Sequence, residues 1–221
     1  MFHYPEYKGL FDVGMGQVWS LPGYATLACG DLLEYSIEDV IELLRIEGRC
    51  TMYVDPPWNQ GNMTTFYGKA DLIRTRSFED LCTHIWALAE ACCDEAWIEM
   101  GNQHVDYLIN EVIGERGRGV QKYDVTYYRK HPSCLVYAGL TRVSPRDDTF
   151  TGMDDEQTPY KALLQSKAGL VLDPCMGRGL TGVSAVKAGL PFAGMELNPV
   201  RFGITLERLV HLTGVAPERL V

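Results

Sequence analysis

The chain has 221 residues, 46% of them apolar and 22% charged, a balance that excludes a disordered polymer and suffices for one domain with a substantial core. No stretch approaches the ~20 apolar residues of a membrane-spanning helix, and the opening MFHYPEYKGL lacks the basic and apolar regions of a secretory signal, so a soluble protein with no membrane partner is expected. A net charge of −9 excludes a uniformly basic nucleic-acid binder but not a local basic face.

An aromatic, glycine-rich arm leads into YATLACGD (24–31), a predicted short strand ending in a turn. SIEDVIELLRIE (36–47) follows as a helix capped by Ser36, and RCTMYVD (49–55) as the next strand. SFEDLCTHIWALAEACC (77–93) spaces its apolar residues as a helix does, behind a Ser cap with Asp three positions on. AWIEMG (96–101) returns to the sheet and VDYLINEVIGE predicts another helix. YDVTYYRK (123–130) and CLVYAGL (134–140), joined by His-Pro-Ser, predict an antiparallel hairpin. The aperiodic, charged stretch 141–159 predicts a mobile loop, and TPYKALLQSK (158–167) a capped helix. The chain closes with strand GLVLD, helix TGVSAVKAG, strand PFAGMEL and helix NPVRFGITLERLVHL. This alternation marks an α/β protein: a mixed, mostly parallel sheet with helices on both faces. A single domain over 1–221 is expected, with 102–157 as a small insertion that includes the loop at 141–157.

Seven cysteines lie mostly inside apolar runs rather than at metal-ligand spacings, so reduced core thiols and no metal site are expected. His84, His104, His131 and His211 show no ligand spacing either. Charge is unevenly spread. Residues 1–60 hold three Lys/Arg against nine Asp/Glu and 61–115 three against ten, whereas 116–146 hold Arg116, Arg118, Lys122, Arg129, Lys130, Arg142 and Arg146 against Asp124 alone. A solvated loop and a phosphate-facing strip both fit that segment.

Two constellations carry chemistry. In VLDPCMGRG (171–179), an apolar strand runs through Asp173 and Pro174 into a turn with Gly177 and Gly179 that opens a helix, and AGMELN (193–198) ends the next strand at Glu196-Leu197-Asn198. Such a turn lets backbone approach a ligand closely, and a carboxylate about 20 residues on can accept both hydroxyls of a ribose. Taken alone, it is equally a tight strand-to-helix turn. In MYVDPPW (52–58), Pro56 and Pro57 fix the backbone just after a strand and remove two N–H donors, so Asp55 and its neighbouring carbonyls form a rigid acceptor cluster. Trp58 adds a flat face, and together these suit a planar base bearing an NH₂ group. In isolation a Pro-Pro sequence also serves as a plain exit from a sheet.

As a pair, the two stretches resemble the signature motifs of S-adenosylmethionine-dependent amino-methyltransferases that act on DNA. Asp55-Pro56-Pro57-Trp58 matches the [DNS]-PP-[YFW] catalytic tetrapeptide, and Asp173-Pro174-Cys175-Met176-Gly177-Arg178-Gly179 the D-P-F-x-G-x-G cofactor motif, with Cys175 where the family has Phe. Catalytic motif first and cofactor motif last resembles the permuted, beta-type order. Gly30-Asp31 matches a G-D turn of the cofactor pocket, and Thr158-Pro159 begins a helix in the place of the family's pre-motif helix. The resemblance covers about residues 24–101 and 155–212.

The resemblance implies a Rossmann-like methyltransferase fold and S-adenosylmethionine as cofactor, with no metal. Asp31, Asp55, Asp173, Pro174, Cys175, Gly177, Gly179, Glu196, Leu197 and Asn198 would line the cofactor pocket. By the family's logic Asp31 and Glu196 hold adenine and ribose, and Asp173 neighbours the methionine amino group. Asp55 and the Pro56 carbonyl would hold the amine hydrogens of a flipped base, with Trp58 stacked on it. Asp at position 55 is the family's tendency for adenine N6. N4-cytosine, RNA N6-adenine and a non-catalytic partner subunit remain alternatives. Nucleic acid, DNA first, is the implied partner, contacted by Lys69, Arg74 and Arg76 after the tetrapeptide and by Arg116, Arg118, Lys122, Arg129 and Lys130. Phe66, Tyr67, Lys69, Arg74 and Arg76 follow the tetrapeptide in a polar, glycine-containing stretch that reads either as a loop closing over the base or as an ordinary mobile loop. The region between the motifs is short for target recognition, so a homodimer or a specificity subunit would complete the footprint. The implied setting is a bacterial or phage-encoded enzyme of the cytoplasm, in restriction-modification or phage biology.

Overall fold

The computed structural model describes residues 10–73 and 76–221. Nine strands form one sheet: β1 (Val18–Leu21), β2 (Ala25–Cys29), β3 (Cys50–Val54), β4 (Cys93–Gly101), β5 (Arg118–Tyr127), β6 (His131–Gly139), β7 (Val171–Asp173), β8 (Phe192–Glu196) and β9 (Glu218–Arg219), in the order β5-β6-β4-β3-β7-β8-β2-β1-β9. The five central strands from β4 to β2 are mutually parallel, and two antiparallel strands extend each edge. The edges are thus more antiparallel than the expected mostly parallel sheet. β1 and β9, drawn from the N-terminal arm and the C-terminus, have too little periodicity to be read as strands.

Helices cover both faces. They are α1 (Ile37–Leu43), α2 (Gln60–Lys69), α3 (Phe78–Cys92), α4 (Val105–Tyr107), α5 (Thr158–Gln165), α6 (Leu180–Lys187) and α7 (Pro199–Thr213). Central strands buried from two sides read as continuous apolar runs, and all five residues of β3 are buried. Their alternation splits the core. Cys50, Met52 and Val54 of β3 join Ile85, Trp86 and Ala89 of α3 in one cluster, while Tyr53 joins Trp97, Phe192, Phe202 and Leu206 on the opposite face. α3 starts where the sequence places it, because Ser77 and Asp80 form a reciprocal capping box.

Three local readings are corrected. The hairpin turns at Tyr128-Arg129-Lys130, so His131, Pro132 and Ser133 belong to β6. Pro132 is tolerated because β4 begins to pair with β6 only at Ser133. The segment after the Pro-Pro turn is helix α2, capped by the Asn59 side chain, rather than a loop. VDYLINEVIGE is one α-turn followed by a π-helical stretch, Leu108–Ile113, and a 3-10 turn. The stretch 141–157 has little regular structure, but Phe150 is fully buried against Trp97 and Tyr123, and Thr126 and Asp154 form a β-bridge. Among the described residues no helix is long and apolar enough to cross a membrane.

From β3 the chain winds outward to β4, and from β7 it winds the other way to β8. The crevice at the carboxyl ends of β3 and β7 is therefore the point where strand order reverses, the place where open α/β sheets bind ligands.

Candidate active site

β3 and β7 are neighbours in parallel register, Thr51 beside Val171 and Met52 beside Leu172. The segments that leave their carboxyl ends, Asp55-Pro56-Pro57-Trp58 and Pro174 to Gly179, therefore emerge side by side. Asp173 is buried, and its Oδ1 accepts a hydrogen bond from the Cys175 N–H at 3.0 Å. Burial pushes its carboxyl up to about 7, helped by the charges of Asp55 and Glu196 and opposed by hydrogen bonds from Thr181 and Cys175. Asp55 is half-buried, and desolvation pushes it up to about 6 against the Trp58 hydrogen bond and the nearby Arg201. Burial holds the half-covered Cys175 thiol well above its ordinary range.

The glycine turn needs glycine. Gly179 caps α6 at φ +77°, and a Cβ there would lie 2.5 Å from Thr205 Cγ2. Gly177, also left-handed, donates its N–H to Glu196 Oε2 at 2.8 Å, while Glu196 Oε1 accepts from the Asn198 N–H at 2.9 Å. Glu196 is thus aimed by two backbone donors, and its pKa is raised by burial and lowered by Arg201 and those donors. Asn198 caps α7 through Oδ1, to the N–H groups of Val200 and Arg201, and its Nδ2 donates to the Lys69 carbonyl at 2.6 Å. Leu197 is partly buried against the core. Gly30 N–H donates to the Glu196 carbonyl at 3.0 Å, and the adjoining Asp31 accepts the Tyr67 hydroxyl at 3.0 Å. α2 therefore closes one side of the crevice, with Tyr67 on Asp31 and the Lys69 backbone on Asn198.

On the Pro-Pro side, Trp58 Nε1 donates to Asp55 Oδ1 at 2.8 Å. The indole rests on Gly101, where a Cβ would come within 2.8 Å of Trp58 Cε3, and meets Tyr127 edge-on at 4.9 Å. Behind it lies a buried acidic group that sequence reasoning misses. Glu99 accepts hydrogen bonds from Ser133 and Tyr53 and is pushed well up by burial and by Asp55 and Asp155. Asp155 is buried, accepts the Tyr128 N–H at 3.1 Å, and is pushed up to about 7 by desolvation and by Asp154. Arg201 is also missed: its guanidinium lies 4.8 Å from the Phe66 ring and beside Gly177. Glu99 lay inside an apolar run and Arg201 on an ordinary helix, so only the period-2 position of Glu99, on the face of β4 opposite Ile98, offered a signal.

The basic strip is partly consumed by the protein itself. Arg116 pairs with Glu90 at 2.8 Å, Arg129 with Asp154 at 3.0 Å, Arg142 with Glu95 at 4.0 Å and Arg146 with Asp148 at 2.6 Å. Arg118, Lys122 and Lys130 are exposed. Arg76 pairs with Glu34 at 3.4 Å, and Lys69 stands over the Phe66 ring at 5.6 Å. Arg74 lies outside the described residues. The hairpin tip carries Tyr128 and Arg129 in left-handed backbone, φ 50° and 56°, and stands beside Trp58 through Tyr127. A separate cleft of about 710 Å³, lined by Val18, Tyr35, Asp39, Glu42, Arg45 and Leu220, contains no residue of either motif.

A scan against protein-family models and a search of curated proteins gave no match. Solved structures do share the fold. The M1.HpyAVI-SAM complex superposes with a TM-score of 0.58 at 15% identity, covering 83% of this chain and 98% of that one. A putative DNA modification methylase from Thermus thermophilus, TTHA0409, complexed with S-adenosyl-L-methionine, gives 0.54 at 15% identity, over 84% and 93%. The cytosine-N4-specific PvuII DNA methyltransferase gives 0.51 at 12% identity, over 89% and 90%. The chain therefore has the Rossmann-like methyltransferase fold, as the motifs imply.

Proposed function

We propose that the chain is an S-adenosylmethionine-dependent methyltransferase that modifies an exocyclic amine of a nucleic-acid base, adenine N6 in DNA. The observation that carries this reading is the meeting of Asp55-Pro56-Pro57-Trp58 with the glycine turn at the reversal point of the sheet. The similar structures whose names state DNA methylation support it. The crevice also fits the cofactor chemically. Asp31, Asp173 and Glu196 line it beside Asp55, Arg201 is the counter-charge to Asp55 and Glu196, and burial holds the carboxyls of Asp173 and Glu196 high, a setting that favours a cation. Glu196 and Asp31 would hold the ribose and adenine, and Asp173 the amino group.

Bound S-adenosylmethionine supplies a methyl group carried on a positive sulfonium. An exocyclic amine is a weak nucleophile because its lone pair is delocalised into the ring, so acceptors that favour a pyramidal nitrogen act on the transition state. Asp55 and the Pro56 carbonyl are those acceptors. Trp58 already engages Asp55 Oδ1, leaving Oδ2 without a hydrogen-bond partner among the described residues. The indole, fixed between Gly101 and Tyr127, offers a wall for the base. Stacking worth roughly 1–3 kcal/mol helps offset the few kcal/mol of base extrusion. Exposed Tyr128 and Lys130 at the hairpin tip, with Lys122 and Arg118 along β5, would meet the flanking strand.

The test is transfer of labelled methyl from S-adenosylmethionine to oligonucleotides whose amino bases are only adenine or only cytosine, as DNA and as RNA. Label is expected on adenine in DNA, with Asp55→Ala abolishing transfer while cofactor binding by calorimetry stays nearly unchanged. Label on cytosine or RNA alone would redirect the substrate, and no cofactor binding at all would overturn the reading.

A further inference from the structure

At the other end of β3, three sulfurs converge. Cys50 Sγ lies 3.2 Å from Cys93 Sγ and 3.8 Å from Cys92 Sγ, and the Cys92 and Cys93 sulfurs are 3.9 Å apart. All three residues are buried. The fold makes this meeting: the register of β3 and β4 sets Cys50 opposite Cys93, and α3 runs into β4 so that its last residue, Cys92, adjoins Cys93. No linear spacing announces it, since Cys50 stands 42 residues before Cys92. Among the described residues it is the only cluster of three or more potential metal ligands within such reach.

Sulfurs arranged tetrahedrally about a zinc ion at ~2.3 Å are separated by roughly 3.8 Å. Two edges of the cysteine triangle have that length and the third is shorter, so an ion needs only a small separation of Cys50 from Cys93. Charge points the same way. The Arg49 guanidinium is fixed over the turn, donating to the Ala91 carbonyl at 3.2 Å, to the Cys93 carbonyl, and to Asp94 at 3.2 Å. Three thiolates with a divalent ion leave one negative charge facing that guanidinium, whereas a monovalent ion would leave two. The Cys50 and Cys92 thiols now point at the carbonyls of Cys92 and Leu88, each at 3.2 Å.

We propose that Cys50, Cys92 and Cys93 form a three-thiolate site for a soft divalent cation of the zinc and cadmium class. On binding, each thiol releases its proton to solvent, three metal–sulfur bonds form, and water fills the fourth position. The site clamps the amino ends of β3 and β4 and lies a strand's length from Asp55, roughly 16 Å at the usual rise. It is structural, and it stands independently of the proposed methyl transfer.

The test uses the full chain, reduced and stripped with a chelator, then titrated with cadmium(II) and with zinc(II). About one ion per chain is expected, with a thiolate-to-metal charge-transfer absorption for cadmium and a higher melting temperature. Cys92→Ser is expected to weaken cadmium binding ~100-fold or more, since even outer-shell partners are worth ~10–100-fold. Cys82→Ser, at a buried cysteine outside the cluster, is expected to leave it unchanged. A folded wild-type chain that takes up less than ~0.1 ion, or a band that persists in Cys92→Ser, overturns the proposal. If that variant does not fold, the wild-type stoichiometry and absorption decide alone.

Discussion

Asp55 and Asp173 hold their protons more tightly in the folded chain than an ordinary carboxyl at 3.8 does, at about 6 and about 7. A raised folded value stabilises fully below the unfolded value and loses that contribution as pH rises through the folded one. Without ligand, these residues' contribution to stability is therefore expected to fall between pH 4 and pH 8. Asp173→Asn should flatten that fall, read as melting temperature against pH; an unchanged slope would mean that Asp173 already ionises freely. Saturating S-adenosylmethionine should flatten it too, with proton release detectable by calorimetry in buffers of different ionisation enthalpy. In the proposed methyl transfer the sign reverses, because Asp55 would have to be ionised to accept amine hydrogens, so kcat/KM should decline as pH drops below about 6. Trp58→Phe removes a hydrogen bond that lowers Asp55, and the acid limb should then move to higher pH. An acid limb that stays in place would detach Trp58 from that titration. The tetrapeptide residues themselves were legible, since their types and order fix the local chemistry. Arg201, Glu99 and Asp155 were not, because each matters only through what it faces across the fold.

Helices α2 and α7 meet through the Asn198 side chain and through Arg201, which lies over the Phe66 ring. Asn198 caps α7 and ties it to the end of α2 at the Lys69 carbonyl, whereas Asn59 caps α2 alone. A lost cap costs about 1 kcal/mol and a lost internal hydrogen bond about 1 more. At ~2–4 °C per kcal/mol for a chain of this size, Asn198→Ala should lower the melting temperature by roughly 4–8 °C and Asn59→Ala by roughly 2–4 °C. Only Asn198→Ala should also loosen α2 over Asp31, seen as faster hydrogen exchange in α2; equal effects would refute that linkage. Strong caps and apolar periods made α3 and α7 readable to within a residue or two. The hairpin turn was misplaced because Pro132 reads as a turn residue, although β6 has no partner on its β4 side there. α2 reads as a loop in the sequence because its polar face and Gly61 and Gly68 conceal a helix that buries only Met63 and Tyr67.

Over the whole molecule, a net charge of −9 would have to coexist with the proposed polyanionic substrate. Four of the seven cations in the 116–146 strip are paired with the protein's own carboxylates, leaving Arg118, Lys122 and Lys130 to meet phosphate. Each neutralised phosphate contributes about −0.9 to the slope of log affinity against log salt, so duplex DNA should show a slope of about −3. Lys122→Ala and Lys130→Ala should each reduce it by about 1. A slope steeper than about −6 would mean that the internal pairs open onto DNA.

Whatever depends on neighbours along the chain was determined by the sequence alone: the α/β alternation, the capped helices, the acceptor-rich Pro-Pro turn and the glycine turn. Local backbone preferences and side-chain periods act over a few residues and survive in any context. Tertiary structure alone decided which ends of which strands adjoin, that Trp58 rests on Gly101 and engages Asp55, that the basic strip is largely paired, and that three distant cysteines meet. Those outcomes follow from strand order and register, which are set by burial of both sheet faces at once and so belong to no single segment.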